Sequence, residues 1–333
     1  MRTLIFGMDG VLVSGALYGD VSSLAIWEIL YGRDYMGLPS ERRDFSAGSV
    51  NDGQLAAIRA LVWEGDRLLS ALSARGILSY ADRIHALLVT ALGLMGEEYR
   101  RRTGGECLSF SLNETADVKM AGRLLMGLPV PGSQDVLAAW TRAVPEAASG
   151  TAFFAGLSSW LGGIFGGVPS WAERQSAFYR MEEEALDSWY LGDDLFIRRY
   201  RRMPQSGGKA GFWRQERSLV PEREAAALFA ALRDRGYTLA AASGRLAGGV
   251  EVPLAAFGWS SYFSQLAADL SDWHGGEGER WMIGHAFEER LLADRAGVRF
   301  IRISAREDTP ADGARWQGIP SAAHVTDILT LLP

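Results

Sequence analysis

Cysteine occurs once in the 333 residues, at Cys107, which rules out a disulfide within the chain and makes a reducing compartment the expectation. Lysine is almost as scarce. Lys119 and Lys209 are the only two, so arginine carries nearly all of the positive charge. Acidic residues outnumber basic ones, 40 to 34, and the net charge of −6 excludes a broad basic surface for nucleic acid. The N-terminus has no secretory pattern, with one arginine and a short apolar run ahead of Asp9, and the cytoplasm is the expected location.

One long stretch lacks charge of either sign, from Ala147 to Ala172. Its length would allow a membrane span, and Gly162/Gly166 and Gly163/Gly167 have the small-xxx-small spacing of associating helices. Six glycines, Pro169, the lack of a Leu/Ile/Val run and the lack of a basic flank argue for a buried or lid-like segment instead. A membrane is therefore not an expected partner. Self-association into a homo-oligomer through 147–172 is the alternative use of this stretch.

What is present is an ordinary globular composition, 48% apolar and 22% charged, in a chain long enough for one large domain or two ordinary ones. From about 20 to 200 the apolar residues recur at three and four, in LAIWEIL, DGQLAAIRALVWEGDRLLSAL, YADRIHALLVTALGLMGEEYRRR and SQDVLAAWTRAV, which predicts helices. Trp27, Trp63, Trp140, Trp160, Trp171 and Trp189 fall in this region and are expected mostly in its core, at a density that still permits an apolar pocket. Asp193-Asp194 lacks the further acid of a metal–diphosphate motif and reads as helix surface or cap.

The ends of the chain differ. LIF opens it as a buried strand. After Val220, a helix with Pro221 near its start and Gly236 after its end is followed by YTLAAAS, QLAAD, RWMIG and VRFIRIS as strands, with FEERLLADRAG and HVTDILTLL as helices. Alternating short strands and helices predict an α/β fold, a doubly wound parallel sheet of Rossmann-like type. Residues 1–15 and 210–333 would form this core, with an all-helical cap domain, 16–209, inserted after the first strand. Ligands bind such sheets at the carboxyl ends of the strands. Three of those ends carry polar residues: Gly7-Met8-Asp9-Gly10, Ser243-Gly244-Arg245, and Gly284-His285-Ala286 with Glu288 and Glu289 following.

The ordered set resembles the haloacid dehalogenase-like (HAD) superfamily with a large helical cap. FGMDGVLV stands where that family has Asp-x-Asp-Gly-Val-Leu after an apolar strand. AAASGR matches its Ser/Thr-Gly-Arg strand end, FGWSSYF its Leu-Gly-x-x-x-Tyr-Phe, and MIGHAFEERLLADRAG its Val-Gly-Asp-x-x-x-Asp segment. YLGDDLF and FWRQERSLV resemble the return from cap to core in one branch. The resemblance implies phosphoryl transfer through an aspartyl phosphate. A first Asp is the nucleophile, a second the acid/base, a Ser/Thr and a Lys hold phosphoryl oxygens, and further acids hold Mg²⁺.

Residue by residue, that machinery is depleted. Gly7 occupies the nucleophile position. Asp9 stands at the acid/base position, with a turn-capping role as its alternative, and Ser243 stands at the phosphate contact, beside Gly244 and Arg245. No lysine follows Lys209, and Arg280 could replace its charge but not its compact donor. Counting from Gly284 forward and from Ala296-Gly297 back gives one register, in which His285 and Glu289 replace the metal acids. No metal site is expected, no other cofactor is indicated, and Mg²⁺ should bind weakly if at all. His285 with His274 and a carboxylate is irregularly spaced for a transition metal.

The candidate binding residues are thus Gly10, Ser243, Gly244, Arg245, His285 and Glu289, with Asp9 as the candidate catalytic group. The expected function is a HAD-like pseudoenzyme with a binding or regulatory role toward a small molecule or protein partner. A repurposed enzyme is the alternative, using the cleft between cap and core for acid/base chemistry on an apolar substrate as a lyase, isomerase or cyclase. A weak or unusual phosphohydrolase is the second alternative.

Overall fold

The computed structural model describes residues 2–40, 50–145, 148–267, 278–304 and 315–332. The chain divides into two compact units, Met1–Tyr18 with Trp213–Pro333, and Gly19–Phe212.

The first unit is built on a six-stranded sheet. Its strands are β1 (Arg2–Gly7), β2 (Tyr237–Ala242), β3 (Phe263–Ala267), β4 (Glu279–Gly284), β5 (Arg299–Ile303) and β6 (Ser321–Ala322), in the order β3-β2-β1-β4-β5-β6. Every pairing is parallel, and β1 sits between β2 and β4 with Leu4 opposite Leu239 and Trp281. Side chains alternate across the sheet, as the two-residue period of a strand requires. On one face Leu4, Phe6, Leu239, Ala241, Ile283 and Ile301 pack against Leu228 and Phe229 of helix Glu222–Asp234 and Val250 and Leu254 of helix Ala247–Ala256. On the other, Ile5, Ala240, Ala242, Met282 and Phe300 pack against Ala293 of helix Phe287–Arg295 and against Trp316. Helix Glu222–Asp234 starts directly after Pro221 and is closed by Arg235 and a left-handed Gly236, as its sequence predicts.

The second unit contains no strand among its described residues. Its helices are the rest of α1 (Ala16–Tyr31), then α2 (Asp52–Trp63), α3 (Arg67–Ser73), α4 (Tyr80–Thr103), α5 (Thr115–Leu125), α6 (Ser133–Ala143), α7 (Thr151–Phe165) and α8 (Ala177–Tyr200). The helices of the first unit then become α9 (Glu222–Asp234), α10 (Ala247–Ala256) and α11 (Phe287–Arg295). A parallel sheet covered by helices on both faces, with a helical insertion after its first strand, is the α/β architecture anticipated from the alternating strands and helices.

Several local expectations are corrected. The run DGQLAAIRALVWEGDRLLSAL is two helices, because Glu64, Gly65 and Asp66 are all left-handed and turn the chain between α2 and α3. HVTDILTLL forms a short 3-10 helix, Val325–Thr330, in place of an α-helix. Val13 makes isolated bridges to Asp9 and Ser218.

The uncharged stretch yields α7, only 15 residues long, and among the described residues no helix is long and apolar enough to cross a membrane. Phe153, Phe154, Leu157, Leu161 and Ile164 are buried within the helical unit. The close glycine contacts belong to α4: a Cβ on Gly93 would lie 2.5 Å from Trp160, and one on Gly96 2.8 Å from Phe165. Gly163, by contrast, has nothing within 4 Å of that position. Trp27, Trp63, Trp140, Trp171 and Trp189 are buried in this unit, and Trp160 is partly exposed. Trp63 donates to Ser22 Oγ at 3.1 Å and Trp140 to Thr90 Oγ1 at 2.8 Å.

Lys209 is buried in the same unit. Its Nζ lies 2.7 Å from Glu28 Oε2 and 2.9 Å from Ser188 Oγ, over the Trp189 ring, while Trp189 Nε1 donates to the same Glu28 oxygen at 2.9 Å. Burial lowers the lysine pKa and raises that of Glu28, each opposed by the other's charge. Asp193 fixes this corner: it follows the non-helical Gly192 inside α8 and accepts from the backbone N–H groups of Gly208 and Lys209.

Candidate functional site

Because β1, β2 and β4 are adjacent and parallel, their carboxyl ends bring Asp9, Ser243 and His285 to one edge of the sheet. The loop after β1 is a tight turn. The Met8 carbonyl accepts from Leu12 and Val13 at 2.9 and 3.0 Å, Gly10 N–H donates to Val13 at 2.8 Å, and Gly10 is left-handed at φ +70°.

Asp9 is not presented as a free acid. Its Oδ1 accepts from Arg245 Nε at 2.9 Å and Nη2 at 2.6 Å. The same guanidinium donates from Nη1 to Glu216 Oε2 at 2.7 Å and lies 4.8 Å from the Tyr18 ring centroid. Arg245 is 1% exposed, so one buried cation joins the β1 loop, the β2 loop and the segment that enters α9. Ser243 accepts from the Arg245 backbone N–H at 3.2 Å, the local bond of a serine turn. Gly244 lies between them, at the bend. Glu216 is the member of this group that sequence reasoning missed. The available signal was an acid set between two arginines, Arg-Gln-Glu-Arg, before a helix start.

Gly7 has a specific neighbour. A Cβ built on it would lie 3.2 Å from Glu289 Oε1 and 3.3 Å from the Ile283 carbonyl, so the carboxylate of Glu289 borders the place where a side chain at position 7 would begin. The other oxygen, Oε2, accepts from the backbone N–H groups of His285 and Ala286 at 2.9 and 3.0 Å and so caps α11. Gly284 is needed too, since its Cβ would meet Oε2 at 2.7 Å.

His285 lies against Gly10, whose Cβ would fall 2.5 Å from the imidazole, and its Nδ1 is 3.5 Å from Glu289 Oε2. Three glycines from the ends of β1 and β4 therefore clear the space that Glu289 and His285 fill. Burial opposes the charge on His285, but Glu289, Asp9 and Glu288 outweigh it and raise its pKa above the usual 6.5. The ring keeps 43% of its side-chain surface exposed, which leaves it able to exchange protons with solvent or a ligand.

These donors fit a hard divalent cation poorly. Asp9 Oδ1 is bound to Arg245, Glu289 Oε2 to two N–H groups, and Gly7 offers nothing; no cluster of three His, Cys, Asp or Glu suited to a metal occurs among the described residues. His274 lies outside the described residues. Arg280 is on β4 at the end opposite Gly284, where it donates to the Ala296 carbonyl, so it brings no charge to this edge. Both lysines belong to the helical unit.

The structure is similar to the X-ray structure of a Northeast Structural Genomics Consortium target, with a TM-score of 0.66, 18% identity, and coverage of 99% of this chain and 98% of that one, which shows a shared fold. A phosphatase from Thermococcus thioreducens aligns over 96% of this chain and 100% of its own at 16% identity, with a TM-score of 0.44. A hydrolase from Pseudomonas syringae aligns over 99% and 97% at 12% identity, with a TM-score of 0.35. At those two scores the overlap is too loose to argue from. No family model matches the chain, and no curated protein matches it in sequence.

Proposed function

We propose that this chain is a HAD-like protein that does not work through an aspartyl phosphate and that uses the strand-end site for binding, in a regulatory role toward a small molecule or protein partner. The observation that carries the reading is at Gly7: the position has no nucleophile, and the carboxylate of Glu289 borders the space a side chain would enter. Engagement of Asp9 by Arg245 supports it, because Oδ1 already accepts two hydrogen bonds from the buried guanidinium and is not held open toward a leaving group. With Mg²⁺ and p-nitrophenyl phosphate, the wild-type protein is expected to show no turnover above the buffer rate. Gly7→Asp is expected to stay equally inactive, since its Cβ crowds Glu289 and no lysine is supplied. Robust turnover by the wild type would return the chain to the phosphohydrolases.

A second reading has its own observation. His285, seated on Gly10 and partly exposed beside Glu289, is placed for acid/base chemistry of the lyase, isomerase or cyclase kind. Native mass spectrometry of freshly purified protein separates the two. A co-purifying molecule recovered unchanged after incubation favours binding, and one converted by the wild type but not by His285→Gln favours catalysis.

A further inference from the structure

Away from the strand ends, the helical unit holds an ion pair with no solvent exposure, His85 on α4 and Glu182 on α8. His85 Nδ1 lies 2.9 Å from Glu182 Oε2, and Nε2 lies 3.1 Å from the Ala172 carbonyl. Both ring nitrogens thus face acceptors. A neutral imidazole carries a single N–H and cannot donate to both. Both contacts are satisfied only while the pair holds one proton beyond a neutral histidine and an ionised glutamate, whichever partner carries it.

Ala172 belongs to the connection between α7 and α8, residues 166–176. Left-handed residues stand near its two ends, Gly166 at φ +76° and Gln175 at φ +66°. A 3-10 turn at Ser170–Ala172 places Trp171 in the core, stacked on Phe110 at 5.3 Å and edge-on to Phe165 at 5.4 Å. One further pin holds the connection. Arg174 makes two 2.9 Å bonds to Asp82, which lies one turn before His85 on α4 and also accepts from Tyr179 Oη at 2.8 Å.

We propose that residues 166–176 form a strap whose closure is governed by the proton shared between His85 and Glu182. When that proton leaves, the remaining N–H stays with the charged Glu182, and the Ala172 carbonyl then faces a ring lone pair. The strap lifts at Ala172, turning about Gly166 and Gln175, while Trp171 and the Arg174–Asp82 pair oppose the motion.

The direction follows from the groups around the ring. Burial disfavours its charge, but Glu182 and Tyr179's neighbour Asp82, with the Ala172 carbonyl, outweigh burial and raise the His85 pKa above 6.5. Arg174 offsets part of the Asp82 charge, Phe154 on α7 lies 6.2 Å away, and Tyr179 is kept neutral by burial and by Asp82. Glu183, next to Glu182 on α8, is raised to about 7 by burial and by Asp187, Glu182, Asp82 and Glu184, so it titrates in the same range and needs its own control. A histidine raised in the folded state stabilises it fully below the unfolded value of about 6.5, and that contribution is lost as the pH climbs through the folded value.

Hydrogen exchange of the full chain between about pH 6 and pH 9, corrected for the base-catalysed intrinsic rate, reads this directly. Peptides covering 166–176 should open at least about tenfold more at the upper pH, with the centre of α4 unchanged. Glu182→Gln should abolish the step, because a glutamine amide can donate to Nδ1 while Nε2–H keeps Ala172. Glu183→Gln should preserve it. Arg174→Met should open the strap at every pH and keep the ratio between the extremes. Equal opening at both pH values in the wild type, a step that survives Glu182→Gln, or one lost in Glu183→Gln or Arg174→Met would overturn the proposal.

Discussion

Replacing Arg245 with methionine is expected to cost the α/β unit about 3–5 kcal/mol of stability, because two carboxylates lose their shared cation while one stays buried. Glu216 keeps only 2% of its side-chain surface exposed and Asp9 20%, so water can rescue Asp9 in part and Glu216 hardly at all. The two acids should therefore respond unequally. Adding Glu216→Gln to Arg245→Met removes the stranded charge and should restore a large share of the loss, whereas adding Asp9→Asn should restore less. Pulse proteolysis across a urea series, with fragments identified so that each unit is followed by itself, measures this without assuming one transition for the whole chain. A fall below about 1 kcal/mol in Arg245→Met would mean that the guanidinium is not the tie between the three segments.

Lys209→Met is expected to have a comparable effect on the helical unit, about 3–5 kcal/mol at neutral pH, since it leaves Glu28 buried without its cation. The pH dependence distinguishes this from a packing defect. Without the lysine the folded-state pKa of Glu28 rises further above its unfolded value, so the folded variant holds a proton that the unfolded chain releases. Its stability then falls as pH rises from about 4.5 through that raised value, and the deficit against wild type shrinks toward pH 5. Urea midpoints at pH 5 and pH 7 check this, with a pH-independent deficit as the contrary result.

The sheet was legible because its strands are short apolar runs at regular intervals, and a strand buried on both faces leaves no other reading of YTLAAA or RWMIG beside predicted helices. Local geometry was harder. Nothing in helical periodicity marks Glu64 and Asp66 as left-handed, and Ser321–Ala322 is too short to stand out as a strand. At the site, position along the strands was enough to bring Asp9, Ser243 and His285 together. What the side chains do there was not readable in the same way. Arg245 looks like an anion ligand until Glu216, 29 positions away, is found on its other side. Gly7 looks like a simple loss until Glu289 is seen to border the vacated volume. Both facts are juxtapositions of residues far apart in the chain, and such pairs leave no period in the sequence.

The burial of Lys209 has a practical side. With Lys119 at 38% side-chain exposure and Lys209 at 1%, the lysines of this chain differ sharply in access to a reagent. An amine-directed label at limiting dose should mark Lys119 in the native protein, and the appearance of label on Lys209 then times the opening of the helical unit. Peptide mapping of the labelled chain would show the second site lagging the first. The scarcity of one residue type turns into a two-site covalent clock.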